Sequence, residues 1–143
     1  MTTRLPLIVF AAALAAACGN GSSTATSPTT ATIPAITTVT FADTLDAGGS
    51  RFYSFSNNTA GSVTAFLASV TASGNPLPLA IPLELGIGVP AGTGCATTMT
   101  QVVTPGLVTE LTDSLAAGVF CLRVADAGAL KAPVTFAVRF NHP

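Results

Sequence analysis

Few side chains in this sequence could carry out chemistry, and the first candidate is a histidine. His142 is the one histidine of the chain and is followed by Pro143. A catalytic Ser–His–Asp arrangement would need its imidazole to be held by packing and by a carboxylate, whereas chain termini are often frayed. We therefore expect an exposed terminal histidine and no catalytic residue.

Acidic residues supply the second candidate. Asp43 and Asp46 lie three residues apart, beside a Gly-Gly pair, and are candidate ligands of a calcium ion. Calcium takes six or more oxygen ligands, usually from several carboxylates, and Asp113 or Asp126 could contribute only by folding nearby. Because aspartates next to glycines are typical of stabilised turns, we predict no bound metal and no cofactor.

The composition restricts the function further. Of the 143 residues, 49% are apolar and 8% are charged, and the net charge is −1. Soluble domains have about 25% charged residues. A nucleic-acid-binding protein needs a basic face, which this composition excludes. So few ionisable groups also argue against an enzyme, and we expect a non-catalytic protein.

The N-terminal segment has the pattern of a signal peptide. Arg4 is the only charged residue before Asp43, and the run from 5 to 17 is apolar. In a helix this run would span about 20 Å, less than the roughly 30 Å core of a bilayer. A positively charged start, a short apolar run and small residues at its end are typical of an export signal, here residues 1–17.

The residues that end this segment, Leu14-Ala-Ala-Ala-Cys18-Gly19, resemble the lipobox of bacterial lipoproteins. The resemblance implies that Cys18 becomes the lipidated first residue and anchors the protein to a membrane of the cell envelope. Lipoproteins kept in the inner membrane typically have Asp after the cysteine, so Gly19 implies the outer membrane, where the protein could be displayed on the surface. The alternative is ordinary cleavage after Ala17, which would leave Cys18 as a free thiol in a soluble secreted protein.

The lipobox resemblance also bears on the other two cysteines. If Cys18 carries lipid, Cys95 and Cys121 can pair outside the cytoplasm, where disulfides persist, and no thiol is left over. Their disulfide would close a loop of about 26 residues and contribute roughly 3.5 kcal/mol in the chain-entropy model. Two cysteines without a nearby histidine do not make a zinc site.

A flexible linker is predicted to follow the lipidated cysteine. The stretch up to residue 35 consists of Gly, Asn, Ser, Thr, Ala and Pro with a single Ile, which is too little apolar surface to order a chain. Seventeen such residues would reach about 20–25 Å on average. The sequence thus divides into a signal peptide (1–17), a lipidated cysteine with its linker (18–35) and a folded domain (36–143).

In the predicted domain, apolar and other residues alternate with the period of two that is typical of β-strands. The clearest run is 77–89, where every odd position is apolar; the prolines between them suggest an edge strand. Runs separated by Gly, Pro and Asn turns predict eight strands, at 36–42, 50–56, 62–71, 77–89, 96–103, 107–112, 120–125 and 134–141. This pattern predicts an all-β sandwich of antiparallel strands, of jelly-roll type.

Parts of this domain resemble bacterial pre-peptidase C-terminal domains. Arg51-Phe-Tyr-Ser-Phe55 and Gly61-Ser-Val-Thr64 are similar to the opening strands of that family. Leu115-Ala-Ala-Gly-Val-Phe-Cys-Leu-Arg-Val124 is similar to its late Ala-Gly-x-Tyr strand, with Phe120 in place of Tyr. The resemblance covers about residues 40–141 and implies a non-catalytic sandwich concerned with secretion, surface retention or substrate contact.

The remaining residues favour a binding or structural role. Glu84, Arg123 and Arg139 fall on the outward phase of their strands, as solvated side chains or cross-strand pairs. Phe52 and Tyr53 point opposite ways, so one of them could contact a sugar or a peptide. We expect a lipid-anchored module that binds a protein or glycan partner. The alternatives are a structural envelope component, which a long unprotected edge strand would favour, and an enzyme, which convergent buried carboxylates would favour.

Overall fold

The described part of the chain contains eight β-strands, and buried and exposed residues alternate most regularly in the second, third and eighth of them. The computed structural model describes residues 35–75, 77–106, 108 and 111–143; the predicted signal peptide, Cys18 and all but the last residue of the predicted linker lie outside the described residues. The strands are β1 (Thr37–Leu45), β2 (Ser50–Asn57), β3 (Gly61–Ala72), β4 (Leu83–Ala91), β5 (Gly94–Val103), β6 (Leu111–Leu115), β7 (Gly118–Asp126) and β8 (Val134–His142).

The strands form two four-stranded antiparallel sheets. The first sheet has the order β1-β8-β3-β6 and the second the order β2-β7-β4-β5. Among the described strands, β4 and β5 are the one consecutive pair that stays within a sheet, and every other connection crosses between sheets. This winding is that of a jelly roll. The prediction of an all-β sandwich with eight antiparallel strands is therefore confirmed.

The core lies between the two sheets and is built from the inward positions of the alternation. In β8 these positions are Val134, Phe136, Val138 and Phe140, all of them buried. The largest side chains that are fully buried are aliphatic or aromatic: Phe136, Phe140, Leu45, Leu67, Leu83, Leu85, Ile87, Leu111, Leu122, Val63, Val70 and Val124. Burial of this apolar surface stabilises the two sheets against each other.

The strand predicted from the prolines is not an edge strand. It begins at Leu83 and lies between β7 and β5. Pro78 and Pro82 precede it, and Pro90 follows Gly88, the last residue that pairs with β7. Each proline therefore lies outside the part of β4 that is paired on both sides, where its missing N–H would break a ladder. The preceding segment bridges β3 instead, where the Leu79 N–H donates to the Val70 carbonyl oxygen at 2.7 Å.

The register defines two ends of the sandwich. At the end that we call the N-terminal end, Thr37 pairs with His142 and Asn57 pairs with Gly118. The connections 58–60 and 116–117 and the β4–β5 turn at 92–93 lie at this end. At the opposite end, the far end, lie the turn 46–49 and the connections that follow β3, β5 and β7. Residue 35, where the described chain begins, is therefore at the N-terminal end.

Candidate functional site

Cys95 and Cys121 form a disulfide, as the cysteine count predicts. Their Cα atoms are 5.9 Å apart. Cys95 belongs to β5 and Cys121 to β7, and these two strands are not neighbours, because β4 lies between them. The disulfide therefore spans an intervening strand, on the outer face of the second sheet.

Two glycines allow β5 to approach β7 closely. Gly86 and Gly88 point outward from β4, and both are buried. A Cβ on Gly88 would overlap the carbonyl group of Ala96, and a Cβ on Gly86 would lie 2.7 Å from the Thr97 Cγ2. The beginning of β5 therefore folds over the outer face of β4. The register shifts between Ile87 and Gly88 at this point, and a bulge of this kind bends a strand pair.

Asp43 and Asp46 converge on one cation rather than on an open site. The Arg51 Nε lies 3.3 Å from the Asp43 Oδ2, and the Arg51 Nη2 lies 3.9 Å from the Asp46 Oδ2. This guanidinium takes the place between the two carboxylates that a calcium ion would need. Asp113 and Asp126 do not join them, and the described ranges contain no group of three or more His, Cys, Asp or Glu side chains suited to a metal.

Tyr53 extends the cluster of Asp43, Asp46 and Arg51 toward the core. Its hydroxyl donates to the Asp43 Oδ2 at 3.4 Å, and its ring stacks on Phe41 with the centroids 4.4 Å apart. Burial, followed by the negative charge of Asp43, raises the pKa of Tyr53 to about 12. The cluster joins the two edge strands β1 and β2 across the sandwich. We therefore interpret it as a closure of the sandwich edge.

Asp126 caps a turn at the far end, the role that the sequence analysis expects of aspartates next to glycines, but its partners were not predicted. Its Oδ2 accepts the Gly48 N–H at 2.8 Å, and its Oδ1 accepts three N–H groups of the connection after β7, from Gly128, Ala129 and Leu130. The Gly48 N–H, helped by the other three, lowers the pKa of Asp126. One side chain thus ties the turn 46–49 to the connection 127–133. The Asp-Ala-Gly sequence at 126–128 is the signal that could have indicated such a cap.

The outer face of the second sheet exposes basic, acidic, aromatic and aliphatic side chains close together. Arg123 and Glu84 form an ion pair there, with 2.7 Å between Nη1 and Oε1, and both side chains are about one-third exposed. Phe52 lies directly opposite Arg123, and Val102 lies directly opposite Glu84. Phe52 is 44% exposed and Val102 is 56% exposed. We call these four residues the candidate binding face; Phe52 is the exposed member of the Phe52–Tyr53 pair.

The outer face of the first sheet is rich in threonine. Thr38 donates to the Asn141 Oδ1 at 2.8 Å, and the Asn141 Nδ2 donates to the Thr64 Oγ1 at 3.0 Å, so one polar row crosses three strands. In the next row, the Arg139 guanidinium lies over the Phe66 ring, 5.6 Å from its centroid. Arg139 is thus occupied by a cation–π contact, and its outward orientation agrees with the alternation.

His142 is not the exposed, frayed residue that its position suggests. It is half-buried and lies in β8, where it pairs with Thr37. Its ring centroid is 5.5 Å from that of Phe55 and 5.6 Å from that of Phe140. The strand continues this far because Pro143 is itself buried and would contact any side chain added at Gly61. The expectation of an exposed terminal histidine was wrong, because the ring packs beside Phe55 and Phe140.

Asn57 is a buried polar residue that sequence reasoning also missed. It is 3% exposed, and neither of its side-chain polar atoms has a hydrogen-bond partner within the described part of the protein. In β2 its side chain points inward, as do those of Tyr53 and Phe55. A buried amide without a partner costs roughly 1–3 kcal/mol.

Cys18 lies outside the described residues, so its predicted lipidation is not tested by this geometry. Nothing in the described ranges forms a helix with the length and apolarity needed to cross a membrane. Searches of protein-family models and of curated protein sequences find no match to this chain.

Proposed function

We propose that the chain is a lipid-anchored, non-catalytic β-sandwich module of the bacterial cell envelope that binds a protein or a glycan. The observation that carries this proposal is the Cys95–Cys121 disulfide. Disulfides persist in oxidising compartments outside the cytoplasm, which is where an export signal would deliver the chain. The pairing also leaves Cys18 as the third cysteine, at the position where the lipobox pattern has its modified residue.

The residues at and after Cys18 support a stable anchor in the outer membrane. Two or more acyl chains hold a protein stably on a membrane, whereas one chain holds it marginally. The Gly19 that follows favours the outer membrane by the same resemblance. The resemblance to pre-peptidase C-terminal domains agrees with a surface module, since that family is concerned with retention and substrate contact.

The candidate binding face offers groups for the contact with a partner. Phe52 offers an aromatic surface for a sugar ring or an apolar side chain. Arg123 and Glu84, fixed by their ion pair and only one-third exposed, offer a donor group and an acceptor group beside it. Residues that dominate the binding energy of interfaces are enriched in Trp, Tyr and Arg, and Phe52 opposite Arg123 offers a comparable aromatic ring beside a guanidinium group.

The anchor is tested by the intact mass of the protein extracted with detergent from its host. We expect the mass of residues 18–143 plus acyl chains. The variant Cys18→Ala should leave the membrane fraction while keeping the Cys95–Cys121 disulfide. A mass without acyl chains, or an unchanged membrane fraction for the variant, would contradict the anchor and leave a soluble secreted domain.

The candidate binding face is tested separately with Phe52→Ala and the matched control Ser54→Ala, the next outward residue of the same strand. Purified surface polysaccharide and purified envelope proteins of the host are the probes, measured by calorimetry. We expect Phe52→Ala to lose most of the affinity for the probe that binds, and Ser54→Ala to keep it. Equal affinity for both variants would contradict the assignment of this face.

A second candidate function, a structural component that assembles with copies of itself or with other envelope proteins, is favoured by β5. This ten-residue edge strand contains no charged residue and no proline, and its Met99 and Val102 are exposed. Edge strands that lack such protection pair readily with other chains. The test is the solution mass over a range of concentrations for the wild type and for Gln101→Lys. Assembly that this lysine abolishes would support the second candidate, and a monomer at every concentration would contradict it.

A further inference from the structure

Exposed apolar side chains lie at the N-terminal end of the sandwich. Ile36 is 60% exposed, Val119 58% and Val89 46%. Ile36 directly precedes β1, Val119 is the second residue of β7, and Val89 follows Gly88 toward the tip of the β4–β5 hairpin. The register places all three at this end, because Thr37 pairs with His142, and Gly88 pairs with Cys121 near the start of β7.

Charged side chains are concentrated away from this end. Asp113 is the one charged residue described at the N-terminal end, and it is half-buried on the edge strand β6, across the sheet from β1. The other charged residues lie along the middle of the strands or at the far end, where they are most numerous: Asp43, Asp46, Arg51, Asp126 and Lys131. Two exposed apolar residues, Leu77 and Val108, also lie at the far end, in the connections that follow β3 and β5.

The chain enters the domain at this same end. If Cys18 is lipidated, seventeen residues, 19–35, separate the acyl chains from the beginning of β1. If this segment is the flexible linker that the sequence predicts, its average reach is about 20–25 Å. The first described residues, at the N-terminal end, would then lie within that reach of the lipid, and the length of the strands separates them from the far end.

We propose that the N-terminal end of the sandwich rests on the lipid surface, with Ile36, Val89 and Val119 in the interfacial region. This inference rests on the lipid anchor of the proposed function. The occupant is a lipid surface because the anchor holds these side chains within its reach whether or not a protein partner is present. An end nearly free of charges also loses little hydration when it meets the membrane, while the charged far end stays in water.

The absence of tryptophan from the sequence makes a direct test simple. Val119→Trp and the matched control Val108→Trp, which is at the far end, are introduced into the full-length lipidated protein and reconstituted in phosphatidylcholine vesicles. Emission is compared between vesicles with and without brominated acyl chains. We expect strong quenching and a blue shift for Val119→Trp, and neither change for Val108→Trp.

Each result has a defined meaning. An acylated protein in which neither tryptophan is quenched, or both are quenched equally, overturns the inference while the anchor stands. A protein without acyl chains by intact mass overturns the proposed anchor and this inference together. Ile36→Trp is the second variant, for the case in which Val119→Trp does not form the Cys95–Cys121 disulfide, and the same expectation of selective quenching applies to it.

Discussion

Gly88 on β4 pairs with Cys121 on β7 and at the same time lies beneath the Ala96 carbonyl group of β5. This double contact explains how a disulfide can join two strands that are not neighbours. Because Gly88 has no side chain, the start of β5 comes down onto the outer face of β4 and brings Cys95 within bonding distance of Cys121. The glycine and the disulfide thus depend on each other.

Gly88→Ala is expected to destabilise the domain by about 1–3 kcal/mol, the range for forced overpacking, because the new methyl group would overlap backbone atoms of Ala96. The control is Gly94→Ala, whose added Cβ would meet the Ala91 carbonyl oxygen at an ordinary 3.8 Å. That variant should stay within about 0.5 kcal/mol of the wild type. Urea unfolding gives both values, and equal stability of the two variants would contradict the fold-over at β4.

Removal of the disulfide by the double substitution Cys95→Ala and Cys121→Ala is expected to lower the free energy of unfolding by roughly 3.5 kcal/mol, since the crosslink closes a loop of about 26 residues. The measurement is the urea midpoint with and without a reductant. The wild type should lose stability in reductant, and the double variant should not respond. A wild type that does not respond to complete reduction would contradict this prediction.

Asn57→Leu is expected to leave stability unchanged or to raise it, because the amide has no hydrogen-bond partner in the described structure and a leucine of similar size needs none. Asn57→Asp is the contrasting variant, and it should be strongly destabilising because it buries a charge. Thermal and urea unfolding measure both changes. A loss of more than about 1 kcal/mol for Asn57→Leu would show that the amide does make a hydrogen bond.

Asp126→Asn is expected to destabilise the domain at neutral pH. The four N–H groups lower the pKa of Asp126 in the folded state, so the carboxylate contributes stability above its unfolded pKa of about 3.9. That contribution is lost as the pH falls through the lowered folded value. The difference between wild type and Asp126→Asn should therefore shrink in strong acid. Urea midpoints of the two proteins are measured at neutral pH and in strong acid. The same difference between wild type and Asp126→Asn under both conditions would contradict the prediction.

Asp43→Asn is expected to lower the pKa of Tyr53 from about 12 toward 10, because it removes a negative charge and weakens a hydrogen bond, while burial still holds the value above 10. Tyr53 is the only tyrosine, and the chain has no tryptophan. The ultraviolet absorbance of tyrosinate therefore reports on it alone. Asp113→Asn, at the opposite edge of the first sheet, is the control and should leave the titration unchanged.

Strands such as β2 and β8 could be predicted because each carries its own period of two, and the Gly, Pro and Asn turns between the runs indicated the others. The Cys95–Cys121 pairing followed from the odd number of cysteines once Cys18 was set aside. The prolines misled the prediction for β4: the rule that places proline at sheet edges does not distinguish an edge strand from the unpaired ends of an interior strand.

The partners in the long-range polar contacts could not be predicted, because these contacts join segments that are distant in the sequence. Asp126 and Gly48 are 78 residues apart in the chain and form their hydrogen bond only when the far end of the sandwich is folded. The packing of β5 on Gly88 depends on a bulge; glycines inside a strand, here Gly86 and Gly88, indicate a bulge or a close backbone approach but not which strand comes close. The burial of Asn57 likewise depends on its inward-pointing position at the end of a strand. From its polarity alone, this side chain would be expected in solvent.

The pairing of β1 with β8 has a mechanical consequence. Nine successive residue pairs, from Thr37–His142 to Leu45–Val134, hold this edge strand to its neighbour. The hydrogen bonds of an antiparallel pair run perpendicular to the strands. When the chain before Thr37 is pulled along the axis of the sandwich while the far end is held, the pull shears all of these bonds at once instead of opening them one by one. Pulling on the chain that precedes the domain therefore requires a higher force to separate β1 from β8 than if the hydrogen bonds broke one by one.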